Sequence, residues 1–430
     1  MKSLKNKIIF LAFLTSFTLL AKTVKLVGFP AQGPCIDTLR FVAFKIKDWD
    51  FYKSGEKNSV SVLKNQEDTK LTYKLWMQTE KSPLVIIIPG LGGHYAGVAL
   101  TAISEIIYNR GFSVLVISDP FSWEFLLNAS TRLTPGYTPT DSRDVYTALN
   151  IILKDVEKKG TNRFSKKILL GYSLGALNTL FIADIDSKEK KINFDRFVAL
   201  NPPVDLFYGL NKLDEFYNIW RTWSKEEIQQ KKNKAIRIYQ QPPQQRDKKL
   251  PITSKEAKFA IGFVFRGLLM ETIKAIHSKK DFGILKNEYG NYSQRHLEKE
   301  IERLNYKDYI NTFLKASYSD LVRRNFSIEK LGEKASLPAI ENTLICNSKI
   351  RIIHTADDFL LTDYDREWLK SIMGSRLLFF DHGGHLGYFY HSTAQDCIVR
   401  SLGSDPSNDL NKKGAKSQSK SSDFEKLKFN

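Results

Sequence analysis

Ile168-Leu169-Leu170-Gly171-Tyr172-Ser173-Leu174-Gly175-Ala176-Leu177 decides how this chain is read. The three leading apolar residues mark a strand buried on both faces. Leu174 to Ile185 has helical spacing. Between strand and helix lies Gly171-x-Ser173-x-Gly175. A backbone that turns so abruptly crowds itself, and glycine on either side of the serine relieves the crowding. The hydroxyl is then presented at a helix N-terminus, where partial positive charge favours a developing anion. The pattern alone is weak; its place between strand and helix gives it weight.

The same rhythm extends outward. Leu84–Ile88 is a continuous apolar run, broken by Pro89-Gly90-Leu91-Gly92-Gly93 and followed by a helical stretch to about Arg110. Ser113–Ile117 reads as a buried strand, Asp141–Lys159 as a helix (Val145, Leu149, Ile152, Val156), and Phe197–Leu200 as a strand closed by Asn201-Pro202-Pro203. Alternating strands and helices predict an α/β fold: a mostly parallel central sheet with helices on both faces. Upstream, Thr38–Lys47 and Leu71–Gln78 alternate polar and apolar residues and read as strands, with a loop or ragged hairpin between them. After Pro203 the rhythm stops. Residues 204–343 are charged and helix-like, with Gln and Lys clustered from Gln229 to Lys249. The rhythm resumes with a strand at Ile350–Ile353, a helix at Asp363–Met373, a strand at Arg376–Phe380 and a helix from Tyr388 to Arg400. The expected organisation is a core of residues 22–203 and 344–402, a large helical lid inserted at 204–343, and a disordered polar tail from 403 to 430.

Residues 1–21 stand apart. Lys2, Lys5 and Lys7 precede an apolar run from Ile8 to Leu20 that ends at Ala21, the form of a secretory signal peptide. The run is short for a membrane span. Export follows as the expectation, to the periplasm, the outer membrane or the medium, with an uncleaved N-terminal anchor as the alternative. Three cysteines, Cys35, Cys346 and Cys397, do not make a disulfide scaffold, and none lies in a CxxC pair, so zinc or thioredoxin chemistry has little support. The net charge of +18 is spread along the chain. No basic helix with interleaved aromatics appears, so a basic surface, with weak contact to anionic membranes, is favoured over specific nucleic-acid binding.

A serine hydroxyl needs a base to act as a nucleophile. His385 fills that role best. It lies in Asp381-His382-Gly383-Gly384-His385-Leu386-Gly387, a glycine-rich loop after the last strand that lets an imidazole reach Ser173. His382 is its rival in the same loop. The base in turn needs a carboxylate to set its tautomer. Asp357 and Asp358 follow the Ile350 strand, and the apolar turn Phe359-Leu360-Leu361-Thr362 favours Asp358, with Asp357 as the alternative. An oxyanion hole is also required. The backbone amide of Leu174 is one expected donor, and Leu91, in the glycine-rich loop after Leu84–Ile88, is the second.

These residues resemble the α/β-hydrolase superfamily. Gly383-Gly384-His385-Leu386-Gly387-Tyr388 is similar to the histidine loop of YheT-like esterases, and Ala356-Asp357-Asp358 to their acid loop. The chain order Ser173, Asp358, His385 is also the superfamily's order. The resemblance covers about Lys81–Asn201 and Ile350–Arg400. Two features depart from it: Pro89 stands where many members have His, and the insertion is long. The resemblance implies a carboxylic-ester hydrolase working through an acyl-enzyme on a small-molecule or lipid ester, with no metal or organic cofactor. Leu206-Phe207-Tyr208, Phe216-Tyr217 and Trp220 are candidate lining for an acyl pocket or, equally, packing of the lid on the core. An acyltransferase or peptidase would use the same triad. A non-catalytic binding protein on the same fold is the alternative from outside enzymology, and a salt-sensitive nucleic-acid or surface-adhesion role through the basic insertion is a third.

Overall fold

A computed structural model describes residues 21–63, 69–159, 164–240, 248–286, 294–322 and 327–403. The expected signal peptide and polar tail lie outside the described residues, apart from Ala21 and Gly403. In chain order the strands are β1 (Lys22–Val24), β2 (Glu56–Val60), β3 (Leu71–Trp76), β4 (Ser82–Ile88), β5 (Ser113–Val116), β6 (Phe164–Tyr172), β7 (Arg196–Leu200), β8 (Ile350–Thr355) and β9 (Leu377–Phe380). They form one sheet in the order β1-β9-β8-β7-β6-β4-β5-β3-β2. β3 runs antiparallel to β2 and β5, and every other pairing is parallel. Because β4 sits between β5 and β6, the winding reverses there and a crevice opens at the carboxyl ends of β4 and β6. This strand order, with β3 inverted, is the α/β-hydrolase fold.

The apolar runs explain the layering. Leu84 to Ile88 have no exposed surface. Their side chains alternate between two apolar clusters, with Leu84, Ile86 and Ile88 on one face and Val85 and Ile87 on the other. Before the insertion the helices are α1 (Pro34–Val42), α2 (Trp49–Ser54), α3 (Val98–Tyr108), α4 (Trp123–Ala129), α5 (Thr138–Lys158) and α6 (Leu174–Glu189). The α5 stripe Val145, Leu149, Ile152 and Val156 is buried, as its spacing predicts.

Two expectations give way. The strand expected at Thr38–Lys47 does not form: Thr38–Val42 belongs to helix α1, and residues 43–47 are turn and loop. Pro34 stands in its first turn, where a missing N–H is not needed, and Cys35, Ile36 and Leu39 bury one face. Leu39 and Phe41 lie on opposite sides of the helix and each meets a different apolar cluster, so apolar residues two apart imitate the alternation of a strand. The helix Tyr388–Arg400 is broken into a tight helical turn, Gly387–Tyr390, and a helix Ser392–Ser401, with His391 extended between them. The turn packs closely on α1: a Cβ on Gly387 would lie 2.0 Å from the Asp37 carbonyl oxygen.

The described residues of 204–343 are mostly helical and contain no strand. Their main elements are α7 (Leu206–Asn218), α8 (Lys225–Gln240), α9 (Ser254–Lys279), α10 (Gln294–Arg303) and α11 (Ile328–Ala335). The stem of the insertion closes on itself: Leu337 N donates to Val204 O at 2.9 Å, and Leu206 N donates to Ser336 Oγ at 3.3 Å. Leu210, Ile273, Tyr309 and Leu337 belong to the apolar cluster that covers one sheet face. Thr138 Oγ1 donates to Ala335 O, Thr272 Oγ1 to Phe121 O and Tyr309 Oη to Pro135 O, so polar ties join insertion and core. After α12 (Glu341–Cys346), α13 spans Asp363–Met373 as expected, opened by a reciprocal cap between Thr362 and Asp365. All three cysteines are free. Among the described residues no helix is long and apolar enough to cross a membrane.

Candidate active site

Ser173 joins β6 to α6 with φ 57° and ψ −124°, a conformation costly for any residue with a side chain. The flanking glycines make it attainable. A Cβ on Gly171 would lie 2.0 Å from Gly175 O, and one on Gly175 would lie 2.2 Å from Ile88 O. The hydroxyl is therefore held at the carboxyl edge of the sheet by a turn that admits no larger residue at either position.

His385 Nε2 lies 2.8 Å from Ser173 Oγ, and His385 Nδ1 lies 2.8 Å from Asp358 Oδ2. The open choice between the two acids resolves geometrically. Asp358 faces the imidazole, whereas Asp357 Oδ1 accepts from Gly384 N at 2.9 Å and braces the loop. His382 turns away, with its ring 5.0 Å from that of Phe29 and Nδ1 at 3.0 Å from Asp381. Asp358 is 1% exposed. Burial raises a carboxyl's pKa, but the His385 charge and hydrogen bond, with help from His354 and the Leu360 amide, outweigh it and hold Asp358 well below the usual carboxylate range.

Leu91 and Leu174, the expected oxyanion donors, both line the cavity that contains Ser173 and His385. Leu174 opens α6, so its amide is one of the helix's unpaired N-terminal donors. The loop carrying Leu91 is held from β5: Asp119 Oδ1 accepts from Gly92 N at 3.0 Å and from Phe121 N at 2.9 Å, and Asp119 N donates to Gly93 O at 2.8 Å. Asp119 Oδ2 is buried with no partner among the described residues. Burial pushes this carboxyl up to about 8, against the pull of the two amides.

Sequence reasoning missed three supporting residues. Asn201, at φ 49°, donates from Nδ2 to Asp358 Oδ2 at 2.7 Å, and its Oδ1 accepts from the Tyr388 hydroxyl at 2.6 Å. Thr38 Oγ1, on α1, accepts from His385 N at 2.8 Å and donates to Pro34 O at 2.7 Å. Asp119 anchors the Leu91 loop. The one available signal was position: Asn201 follows β7, the neighbour of the nucleophile's strand, and Asp119 follows β5, the neighbour of the strand that carries the Leu91 loop.

The cavity above Ser173 is almost wholly apolar and measures about 40 Å³. Helix α7 supplies Leu206, Gly209, Leu210 and Leu213, one stripe at helical spacing, and α9 supplies Phe265. The expected aromatic lining is largely absent: Phe207 packs near Gly332, and Phe216 against Phe359 with rings 5.0 Å apart. Burial pushes the Cys35 and Cys397 thiols up to about 11, away from nucleophilic use. Among the described residues no group of His, Cys, Asp and Glu is arranged to hold a metal ion.

No family model matches the chain, and no curated protein matches it. Among solved structures it is similar to Est1E from Butyrivibrio proteoclasticus, at 14% identity over 80% of this chain and 96% of that one, with a TM-score of 0.37. It is similar also to a lipase/esterase from Lactobacillus plantarum, at 10% identity over 81% and 97%, with a TM-score of 0.39. A third is 2,6-dihydroxy-pseudo-oxynicotine hydrolase, at 12% identity over 81% and 68%, with a TM-score of 0.43.

Proposed function

We propose that this chain is an exported serine hydrolase that cleaves carboxylic esters with a short apolar acyl group. The observation that carries the reading is the continuous hydrogen-bonded line from Ser173 Oγ through His385 to Asp358, set beneath an apolar cavity. Ser173 Oγ attacks the ester carbonyl carbon while His385 Nε2 takes its proton. Asp358 holds the imidazole with its proton on Nδ1 and stabilises the cation that forms. The amides of Leu91 and Leu174 receive the oxyanion. Collapse breaks the bond to the alkoxy group, which leaves as an alcohol with the proton from His385. Water then attacks the acyl-enzyme, His385 accepts its proton, and Ser173 departs with that proton as the acid is released.

The cavity sets the acyl length. About 40 Å³ is room for roughly three water-sized groups. Each buried methylene contributes about 0.8 kcal/mol, roughly fourfold in kcat/KM. The test is a series of p-nitrophenyl esters with wild type and Ser173→Ala. The expected profile rises from acetyl to butyryl, falls by octanoyl, and vanishes in the variant. Equal rates for wild type and Ser173→Ala would overturn the reading, and a monotonic rise through octanoyl would remove the short-acyl assignment alone.

A further inference from the structure

The insertion carries an apolar groove on its outer side, distinct from the cavity over Ser173. It lies between α1, α8 and α9, measures about 500 Å³, and is lined by Val42, Ile236, Phe259, Phe263 and Val264 among others. Ile236 is 54% exposed, and Phe263 and Val264 are each 43% exposed. Large side chains so open to water, and adjacent to one another, mark a surface that meets a partner.

Charge identifies the partner. Residues 221–280 contain 15 Lys or Arg against 5 Asp or Glu. Lys232 Nζ lies 4.7 Å over the Phe263 ring, while Lys231 and Lys255 lie 4.8 and 5.6 Å over Trp223. Lys231 and Lys234 share a single carboxylate, that of Glu256. Protein interfaces are depleted in lysine, because its strongly hydrated ammonium resists burial. A bilayer surface suits it: the stems lie along apolar groups while the ammonium heads stay among anionic headgroups. A second copy of the chain would bring the same excess of positive charge against itself.

We propose that the face formed by α8, α9 and the edge of α1 docks on the surface of a bilayer containing anionic phospholipid, with Ile236, Phe263 and Val264 entering the headgroup boundary and the surrounding lysines pairing with headgroups. Helix α9 also carries Phe265 into the cavity above Ser173, so the docked face and the proposed catalytic cavity share one helix. Docking does not depend on the serine chemistry. Ser173→Ala is expected to bind as wild type does, so the two proposals fail separately.

The test is co-sedimentation of the full chain with sucrose-loaded vesicles of phosphatidylcholine, with and without 30 mol% phosphatidylglycerol (about 0.1 M NaCl, a Debye length of about 10 Å). Wild type is expected to bind the anionic vesicles at least tenfold more tightly than the neutral ones. The double variant Phe263→Asp/Val264→Asp and the double variant Lys232→Glu/Lys255→Glu should each weaken that binding at least tenfold. Lys255 is exposed and Lys232 only half-buried, so the lysine pair serves as the test even where the apolar pair fails to fold. Three results would overturn the proposal: no preference for anionic vesicles; wild-type binding by both variants, which would place the contact elsewhere in the chain; or a dimer in sedimentation that Phe263→Asp/Val264→Asp dissolves.

Discussion

Replacing Asp358 by Asn keeps the shape of the site and removes one charge, and its cost follows from the contacts. Asp358 Oδ1 accepts from Leu360 N at 2.9 Å, while Oδ2 accepts from both His385 Nδ1 and Asn201 Nδ2. An asparagine has one acceptor. With its oxygen on Leu360 N, its amide group faces two donors, His385 Nδ1 and Asn201 Nδ2, and the imidazole can accept from it only by moving its own proton to Nε2. That nitrogen then donates toward Ser173 and can no longer act as the base. The imidazolium also loses its counter-charge: at 2.8 Å and an effective dielectric constant of about 20, that interaction is about 6 kcal/mol, or roughly 10⁴ in rate. The assay is kcat for p-nitrophenyl butyrate, with circular dichroism and thermal melting to confirm the fold. A loss near 10⁴ with KM little changed fits the reasoning. A folded Asp358→Asn enzyme that loses less than about 100-fold would refute it.

Other positions give further tests. Gly175→Ala places a Cβ 2.2 Å from Ile88 O and 2.3 Å from Pro89 O, in backbone that cannot yield, so it should cost about 3 kcal/mol and lower the melting temperature by about 5 °C or more; an unshifted melt would contradict the packing. Asn201→Gly keeps the left-handed backbone but strips hydrogen bonds from Asp358 and Tyr388, so urea unfolding should show a loss of about 1–3 kcal/mol and kcat should fall about tenfold; unchanged kcat would make Asn201 merely structural. Asp119 has a folded pKa raised to about 8, so the folded state binds more protons than the unfolded one between about pH 4 and 8, and stability falls as pH rises through that window. Asp119→Asn removes the dependence; its melting-temperature advantage over wild type should grow from pH 5 to pH 8, and a constant difference would deny the raised pKa.

The central strands were readable because burial on both faces leaves little choice of residue: Leu84–Ile88 and Phe197–Leu200 are unbroken apolar runs that the structure places at the middle of the sheet. The Gly171–Gly175 turn was readable because backbone crowding forbids a Cβ at both ends of it. The edges were less so. β1 has three residues and β2 is Glu-Lys-Asn-Ser-Val, so neither carries an apolar pattern, and both are held by pairing with β9 and β3. Helix α1 is hidden in the sequence because it packs on two sides, Leu39 in one apolar cluster and Phe41 against the other, which imitates strand alternation, and with it is hidden the role of Thr38, whose hydroxyl holds the His385 backbone from 347 residues away. Asn201 was hidden for a related reason: its value lies in contacts with Asp358 and Tyr388, which only the folded sheet brings together. In α7 the cavity is lined by the stripe Leu206, Gly209, Leu210 and Leu213, while the neighbouring Phe216 packs against Phe359, and the local sequence does not say which face of the helix turns to the site.

Labelling by a fluorophosphonate probe tests the central claim most directly, because only an activated serine attacks the phosphorus. Intact mass and peptide mapping of wild type should show one adduct, on Ser173, absent in Ser173→Ala and slowed by orders of magnitude in Asp358→Asn. A folded wild type left unlabelled, or an adduct on another residue, would contradict the account.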